Sequence, residues 1–449
     1  MKIRRILSVF LLAVLLTVSF TPAAAAAQAP EVNARAALLV DTEKDIVLYG
    51  KNEHERMYPA SITKVMTALL VLEAVERGEL SLDQNVTASQ EAIDNMDPEG
   101  SSAGIEKGEV MSVKNLLYCA LMVSANEACD ILAVELDGSI KAFVERMNQR
   151  AAELGCEDTH FANTNGLHHD DHYTTAWDIY LIAREAMKNE TFMTICNTLA
   201  YDVPATNKND SRELHTTNSL ISNWRILGYL YDGAEGIKTG TTDEAGYCLL
   251  SSAVRSGRRL VCVVLGCEGQ GTNIKTYTDS AKLYDYGFYN FSTKTILTED
   301  EMICEVPVEL SKETNYVVVH PSYSAETILP NDVDPATLER TVKLDQEVAF
   351  APIVKGQILG TISLSYEGEV RATVPLLAQY DVSASKFLTA KYQVIQFLSR
   401  REVQLAIIAV VVLAVLIVLW WKLLRPRRRY GSRTGRRGRS RTYRGRRRR

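Results

Sequence analysis

Ser61-Ile62-Thr63-Lys64, Ser124-Ala125-Asn126 and Lys238-Thr239-Gly240 occur once each in this order, and together they supply the groups that acylate a serine with a peptide or lactam carbonyl. Ser-x-x-Lys by itself is a weak signal: a second copy, Ser383-Ala384-Ser385-Lys386, sits in a context without chemistry. The ordered triple carries the reading. Residues three apart on a helix share a face, so Ser61 and Lys64 set a hydroxyl beside an amine, a nucleophile with its base. A lysine titrates near ~10.4 in water and is a poor base at neutral pH. Burial or a second cation therefore has to depress Lys64, and Lys238 is the candidate cation.

These groups need elements to hold them. Pro59-Ala60 end one segment, and the run from Ser61 through Val65, Leu69, Leu72 and Val75 to Gly78 contains no breaker. It predicts a buried central helix whose first N–H groups face an oxyanion. Ser124-Ala125-Asn126 interrupts an apolar helical pattern, with Leu116, Leu117, Ala120 and Leu121 before it and Cys129, Ile131 and Leu132 after it. Ser124 is suited to relay a proton and the Asn126 amide to bond a substrate backbone; the triplet also reads as an N-cap opening a new helix. Lys238-Thr239-Gly240 precedes strand runs Tyr247 to Val254 and Arg259 to Leu265, which places it on a sheet edge. A cation with the Thr239 and Thr241 hydroxyls suits a carboxylate, and Gly240 lets a ligand approach the strand.

With these residues, the chain resembles the serine-type D-Ala-D-Ala carboxypeptidases, the low-molecular-mass penicillin-binding proteins. The likeness extends over roughly residues 31 to 390 and includes Ala37-Leu38-Leu39-Val40-Asp41, Pro59-Ala60-Ser61-Ile62-Thr63-Lys64-Val65-Met66-Thr67 and Phe161-Ala162-Asn163-Thr164-Asn165-Gly166-Leu167. It also includes His172-Tyr173-Thr174-Thr175-Ala176-Trp177-Asp178 and Gly236-Ile237-Lys238-Thr239-Gly240-Thr241-Thr242. The resemblance implies Ser61 as the acylated nucleophile, Lys64 as its base, and Ser124 and Asn126 as the second element. It implies Lys238, Thr239 and Thr241 as carboxylate contacts and the N–H groups of Ser61 and Thr241 as the oxyanion hole. The substrate would be a peptidoglycan stem peptide ending in D-Ala-D-Ala, with β-lactams as covalent inhibitors and no cofactor. Ser124-Ala125-Asn126-Glu127 departs from the family's usual Ser-Gly-Asn-Asp.

Charge and hydropathy divide the chain further. Lys2, Arg4 and Arg5, an apolar run from Ile6 to Phe20 and the small residues Ala23 to Ala29 read as a signal peptide over 1–29. Leu405 to Trp421 carries no charge and spans about 26 Å as a helix, so 404–424 reads as a transmembrane segment. Of the 50 Lys and Arg, 15 lie from Lys422 to Arg449 with no acid among them, leaving 35 against 55 acidic residues elsewhere. The positive-inside tendency then puts the tail, 425–449, in the cytoplasm of a bacterial cell and the acidic body outside a membrane crossed once. That tail suits anionic lipid, and no nucleic-acid partner is expected.

Eight cysteines lie in the external body; Cys119, Cys129, Cys262 and Cys267 fall in apolar stretches and read as core fillers, and no pairing is assigned. His168-His169-Asp170-Asp171-His172 invites a metal reading, but it falls in a loop and His172 belongs to a structural stretch of the resembled family, so no metal is expected. The alternation of strands and helices over 30–290 predicts one antiparallel sheet with helices packed on it, an α/β arrangement. The resemblance implies the same, the serine β-lactamase and transpeptidase-like fold. Short alternating runs over 293–388 predict a small all-β domain, joined to the membrane by 389–403. Three rivals share the acylation groups: a β-lactamase, a non-enzymatic penicillin sensor and an endopeptidase. A class A β-lactamase needs a glutamate loop after the second motif, and no segment here matches it. A sensor needs a signalling domain across the membrane, where only the basic tail lies.

Overall fold

Strand β1 (Ala36–Asp41) is buried along its whole length, and its side chains alternate between two cores. Ala36, Leu38 and Val40 face one, Ala37 and Leu39 the other. Strand β9 (Arg258–Cys267) repeats the pattern, with Val261, Val263 and Leu265 on the first side and Leu260, Cys262 and Val264 on the second. A period of two with both faces apolar requires a sheet covered on both sides. Each Leu or Val so buried contributes about 1.5–3 kcal/mol, which holds the sheet between its two helical layers.

The computed structural model describes residues 28–95 and 100–424. Most of the expected signal peptide and all of the expected basic tail lie outside the described residues. The strands of the first part are β1, β2 (Ile46–Lys51), β3 (Asn85–Thr87), β4 (Val110–Ser112), β5 (Ala200–Val203), β6 (Arg212–His215), β7 (Ala234–Thr242), β8 (Gly246–Arg255) and β9 (Arg258–Cys267). Its helices are α1 (Lys64–Glu76), α2 (Gln90–Asp94), α3 (Val113–Met122), α4 (Asn126–Asp137), α5 (Ile140–Glu153), α6 (Ala176–Ala186), α7 (Glu190–Cys196) and α8 (Lys275–Asn290). The main sheet runs β2-β1-β9-β8-β7, antiparallel throughout, so β7 is an edge, as its sequence predicts. Helix α8 covers one face through Tyr277, Leu283 and Tyr284, and the larger helical layer covers the other. This is the expected antiparallel sheet with helices.

Helix α1 is the axis of that layer. Every residue from Lys64 to Leu72 is buried, which its lack of an amphipathic face anticipates. Ser61 differs slightly from the expected helix start: it lies in a short 3₁₀ turn, Ala60–Thr63, that leads into α1. The apolar run over 113–136 breaks at the polar triplet as expected, and α4 begins at Asn126. The side chains of Ser112, Ser139 and Thr175 cap α3, α5 and α6 through bonds of 3.0–3.2 Å to the first turn.

The chain divides into two compact units. The first runs to Leu297 and includes Ser324–Glu339 and Leu364–Ala372. Within it Phe291–Leu297 pairs with Ala325–Pro330. The second contains most of a six-stranded sheet, ordered Glu339–Leu344, Ile358–Tyr366, Glu369–Ala378, Tyr316–Pro321, Cys304–Glu309 and Ala349–Phe350. Its alternating burial, as in Val306 and Val308 or Val317 and Val319, matches the expected all-β pattern. The spare Ser-x-x-Lys is structural here: Ser385 Oγ accepts from Leu388 N–H at 3.5 Å and caps helix Lys386–Ser399. Helix Arg401–Leu424 follows, the single helix among the described residues long and apolar enough to cross a membrane. All eight cysteines are free thiols, and Cys119, Cys129, Cys262 and Cys267 are buried, as core fillers should be.

One glycine fixes how a neighbouring loop meets the Ser61 turn. Gly166 has φ +88°, and a Cβ on it would stand 1.9 Å from the Ala60 carbonyl oxygen. Gly78 also has positive φ, +73°, but open space around it. Gly166→Ala should therefore lower stability by more than about 3 kcal/mol, against about 1 kcal/mol for Gly78→Ala. Thermal or denaturant melts that rank the two equally would contradict this packing.

Candidate active site

The site lies where three elements meet: the Ala60–Thr63 turn, the α3–α4 junction and strand β7. Gly240 makes the meeting possible. A Cβ there would press to 3.0 Å from both the Pro59 carbonyl oxygen and the Ser61 nitrogen, so a larger residue would force the strand and the turn apart slightly. Lys64 is wholly buried, and its Nζ donates to Ser61 Oγ at 2.9 Å, Asn126 Oδ1 at 2.7 Å and the Asn165 carbonyl at 2.6 Å. An ammonium has three N–H donors, and all three are used. When the group loses a proton, Asn126 and Asn165 keep the remaining two, and the lone pair points at Ser61 Oγ. The geometry that satisfies the acid thus also aims the base.

Burial is the leading cause that depresses Lys64, from 10.5 to about 8, against the opposing pull of Cys129, Asp130 and Glu127. Lys238, the expected second cation, is not among the causes that lower Lys64; the repulsion between the two amines is borne by Lys238. Lys238 is 1 % exposed, donates to its neighbour Thr239's carbonyl at 2.9 Å, and is lowered to about 7 by burial first and by Lys64 second. Two buried amines so coupled titrate as a pair, and the repulsion falls on the one that gives up its proton first.

Ser124 is held at φ +64° between α3 and α4. Flanking bonds impose that conformation, from Ala125 N–H to the Cys119 carbonyl at 3.0 Å and from Asn126 N–H to the Ser101 carbonyl at 2.9 Å. Its hydroxyl is buried without a hydrogen-bond partner, an arrangement that costs stability and suits a group kept for a reacting molecule. Thr239 Oγ1 lies 2.6 Å from Thr217 Oγ1, and Thr241 is exposed further along β7. The seven residues singled out from the sequence therefore fall on the three elements of one site, with Ser61, Lys64 and Asn126 joined by direct bonds.

Other contributors went unread in the sequence. Asn165 acts through a main-chain carbonyl, which no side-chain pattern announces. Thr217 reaches Thr239 from a loop with no motif, and the positive charge of Arg225 reaches Lys238 from the same loop. The loop that carries Asn165 is tied to itself by Asn163 Oδ1, which accepts from Gly166 N–H at 2.7 Å, and to α6 by Asp178, which accepts from Thr159 Oγ1 at 2.7 Å. His172 closes it. Ala162 N–H donates to His172 Nδ1 at 3.1 Å, so the ring proton is on Nε2 and is given to Thr63 Oγ1 at 2.8 Å, which in turn donates to the Ala60 carbonyl at 2.9 Å. Burial lowers this imidazole to about 3, in keeping with the neutral form. Both ring nitrogens are occupied by structure, so His172 supports the Ser61 turn.

The depressed lysines make a stability prediction. Their charged forms are disfavoured by folding, a cost absent above pH ~10.5, where folded and unfolded amines are both neutral, and complete once pH falls below about 7. Lys238→Met should melt above the parent at pH 6, by roughly 2–5 kcal/mol, and lose the advantage near pH 10.5. A variant that melts lower at pH 6, by calorimetry, would show the ammonium to be stabilising.

Residues 23–269 match the family model of D-alanyl-D-alanine carboxypeptidases, and residues 291–384 that of the penicillin-binding protein 5 C-terminal domain. The D-alanyl-D-alanine carboxypeptidase DacF of Bacillus subtilis is 32% identical over 392 residues, 86% of this chain and 96% of that protein. Penicillin binding protein 5 from Haemophilus influenzae has a similar structure, with TM-score 0.62 and 27% identity over 79% of this chain and 99% of the other. Penicillin-binding protein D2 from Listeria monocytogenes, in a cefotaxime-bound form, matches 58% of this chain and 99% of its own at 30% identity and TM-score 0.51. A match that runs through both the acylation motifs and the β-rich region beyond them leaves one assignment: the chain belongs to the serine D-Ala-D-Ala carboxypeptidases of the penicillin-binding protein family, enzymes that act on peptidoglycan stem peptides.

Proposed function

We propose that Ser61 is the residue acylated and Lys64 the base that activates it. The observation that carries this is the triply bonded Lys64 Nζ, 2.9 Å from Ser61 Oγ. In the proposed step the serine oxygen attacks the carbonyl carbon between the two terminal D-alanines while its proton passes to neutral Lys64. The oxyanion is received by the N–H groups of Ser61 and Thr241. The carbon–nitrogen bond then breaks, and Ser124 relays a proton from the lysine to the departing D-alanine amine. Water subsequently cleaves the acyl ester, with Lys64 again taking a proton.

The substrate lies along β7. Its terminal carboxylate is met by Lys238, Thr239 and Thr241, and its backbone by the Asn126 side chain, whose Oδ1 is already committed to Lys64 and whose Nδ2 remains to donate. A β-lactam presents an acyl bond and a carboxylate at similar spacing, and the cefotaxime-bound form of the Listeria relative supports β-lactam binding here, with Ser61 as the proposed point of covalent capture. The basic tail lies in the cytoplasm against anionic lipid and the catalytic unit outside, a reading supported by 15 cations without an acid from Lys422 onward.

Ser61→Ala should abolish both release of D-alanine from a defined pentapeptide and covalent penicillin labelling, by at least about 10³-fold, whereas Ser383→Ala should leave both intact. Mass spectrometry of the products reads the outcome: loss of one alanine is expected, and labelling that survives in Ser61→Ala would remove the serine from its role. Protease added to intact cells should digest the catalytic unit and spare a tag at the C-terminus. A tag lost with the rest would invert the topology.

A further inference from the structure

Asp130 stands one helical turn after Asn126 on α4, with no exposed surface. A buried carboxylate without a cation bonded to it is costly, so its bonds are informative. Its oxygens accept from Thr164 Oγ1 and from Asn95 Nδ2, the latter at 2.9 Å. Thr164 is fully buried too, and its carbonyl accepts from Thr67 Oγ1 on α1 at 2.5 Å. The residue after it is Asn165, whose carbonyl receives Lys64 at 2.6 Å. A continuous chain of bonds therefore runs from the Asp130 carboxylate through Thr164 to the acceptor that orients the amine.

We propose that Asp130 is a positioning residue for Lys64, fixing the Asn165 carbonyl through Thr164 and placing a negative charge within reach of the amine. This rests on the reading of Lys64 as the base. The groups whose charge reaches Lys64 are Glu127, Cys129 and Asp130 from α4, Lys238 from β7 and His172 from the loop after α5. His172 is neutral and the Cys129 thiol is pushed up to about 12, so neither carries charge near neutrality. Glu127 has its Oε1 engaged by Ser102 Oγ and Ala103 N–H, both at 2.7 Å, and holds a different segment. Burial raises the Asp130 carboxyl to about 6, below the value near 8 for Lys64, so Asp130 is ionised where the lysine titrates. Its charge favours the ammonium, and its removal favours the free amine.

The test is the pH profile of kcat/KM for D-alanine release by the full-length protein in detergent. Asp130→Asn keeps the shape and removes the charge. Its acid limb should move to lower pH by about 0.5 or more, with kcat reduced about tenfold by the loosened acceptor and KM within about twofold. A purely structural role would change the amount of folded enzyme and leave the limb in place, and that outcome overturns the proposal. Should Asp130→Asn fail to fold by circular dichroism, the Thr164 pair decides: Thr164→Val should lose kcat about tenfold and Thr164→Ser should restore it, while equal activities overturn the relay. Lys64→Ala separates the two levels. If it retains activity, the base is elsewhere and the proposal falls with it; if it is inactive while the Asp130→Asn limb is unmoved, Asp130 alone loses its role.

Discussion

A lysine amine taken out of water has to be matched donor for donor, and much of this catalytic unit is arranged to do that for Lys64. Removing an ammonium from solvent costs several kcal/mol, and only close acceptors limit the loss. Here the acceptors come from three directions: a hydroxyl on the preceding turn, an amide on α4 and a main-chain carbonyl from the loop after α5. Since the amine is fixed by three separate segments, each segment is fixed by the amine. The depressed pKa is a consequence of the same burial, so reactivity and architecture have one physical origin.

The strand edge obeys a steric version of this constraint. β7 approaches the Ser61 turn closely enough to bring Lys238 and Thr239 into the same cleft as Ser61. Glycine at 240 provides that distance on one side and glycine at 166 provides it for the loop on the other. Residues just before these glycines are buried, Lys238 on the strand and Thr164 and Asn165 in the loop, so packing holds the approach. The turn is squeezed between them and bonded to neutral His172 through Thr63, which leaves Ser61 one orientation relative to Lys64.

Much of this was legible in the sequence, because side-chain chemistry and hydrophobic period are both written there. The period of two in β1 and β9, the unbroken apolar run of α1 and the polar interruption at Ser124 each predict their element, and Ser61 and Lys64 meet as their spacing predicts, whereas the bond from Lys64 to Asn126 belongs to tertiary structure. The 3₁₀ turn at Ser61 was missed, since one turn of tight helix has no pattern of its own and follows from packing against Gly166 and Gly240. Asn165 was missed because every residue has a carbonyl and only the fold chooses which one faces an amine. Asp130 sits at i+4 from Asn126, so its place on the same face of α4 was readable, but its partner Thr164 is 34 residues away, and that contact belongs to tertiary structure.

Several features of the site oppose folding. Two ammonium groups are buried together, Ala60 and Ser124 take left-handed backbone at φ +47° and +64°, and the Ser124 hydroxyl is without a partner. None of these would persist on a mobile surface loop, where water and rotation would relieve each one. They persist because the helix carrying Lys64 is buried from Lys64 to Leu72 and because β7 belongs to a five-stranded sheet with a core on both faces. The size of that framework follows from the demands of the site: a small, strained polar cluster is stable only when the apolar area around it is large enough to offset its cost. A buried lysine amine therefore calls for a central hydrophobic helix, and the long apolar run behind Ser-x-x-Lys supplies the enclosure that the amine's setting depends on.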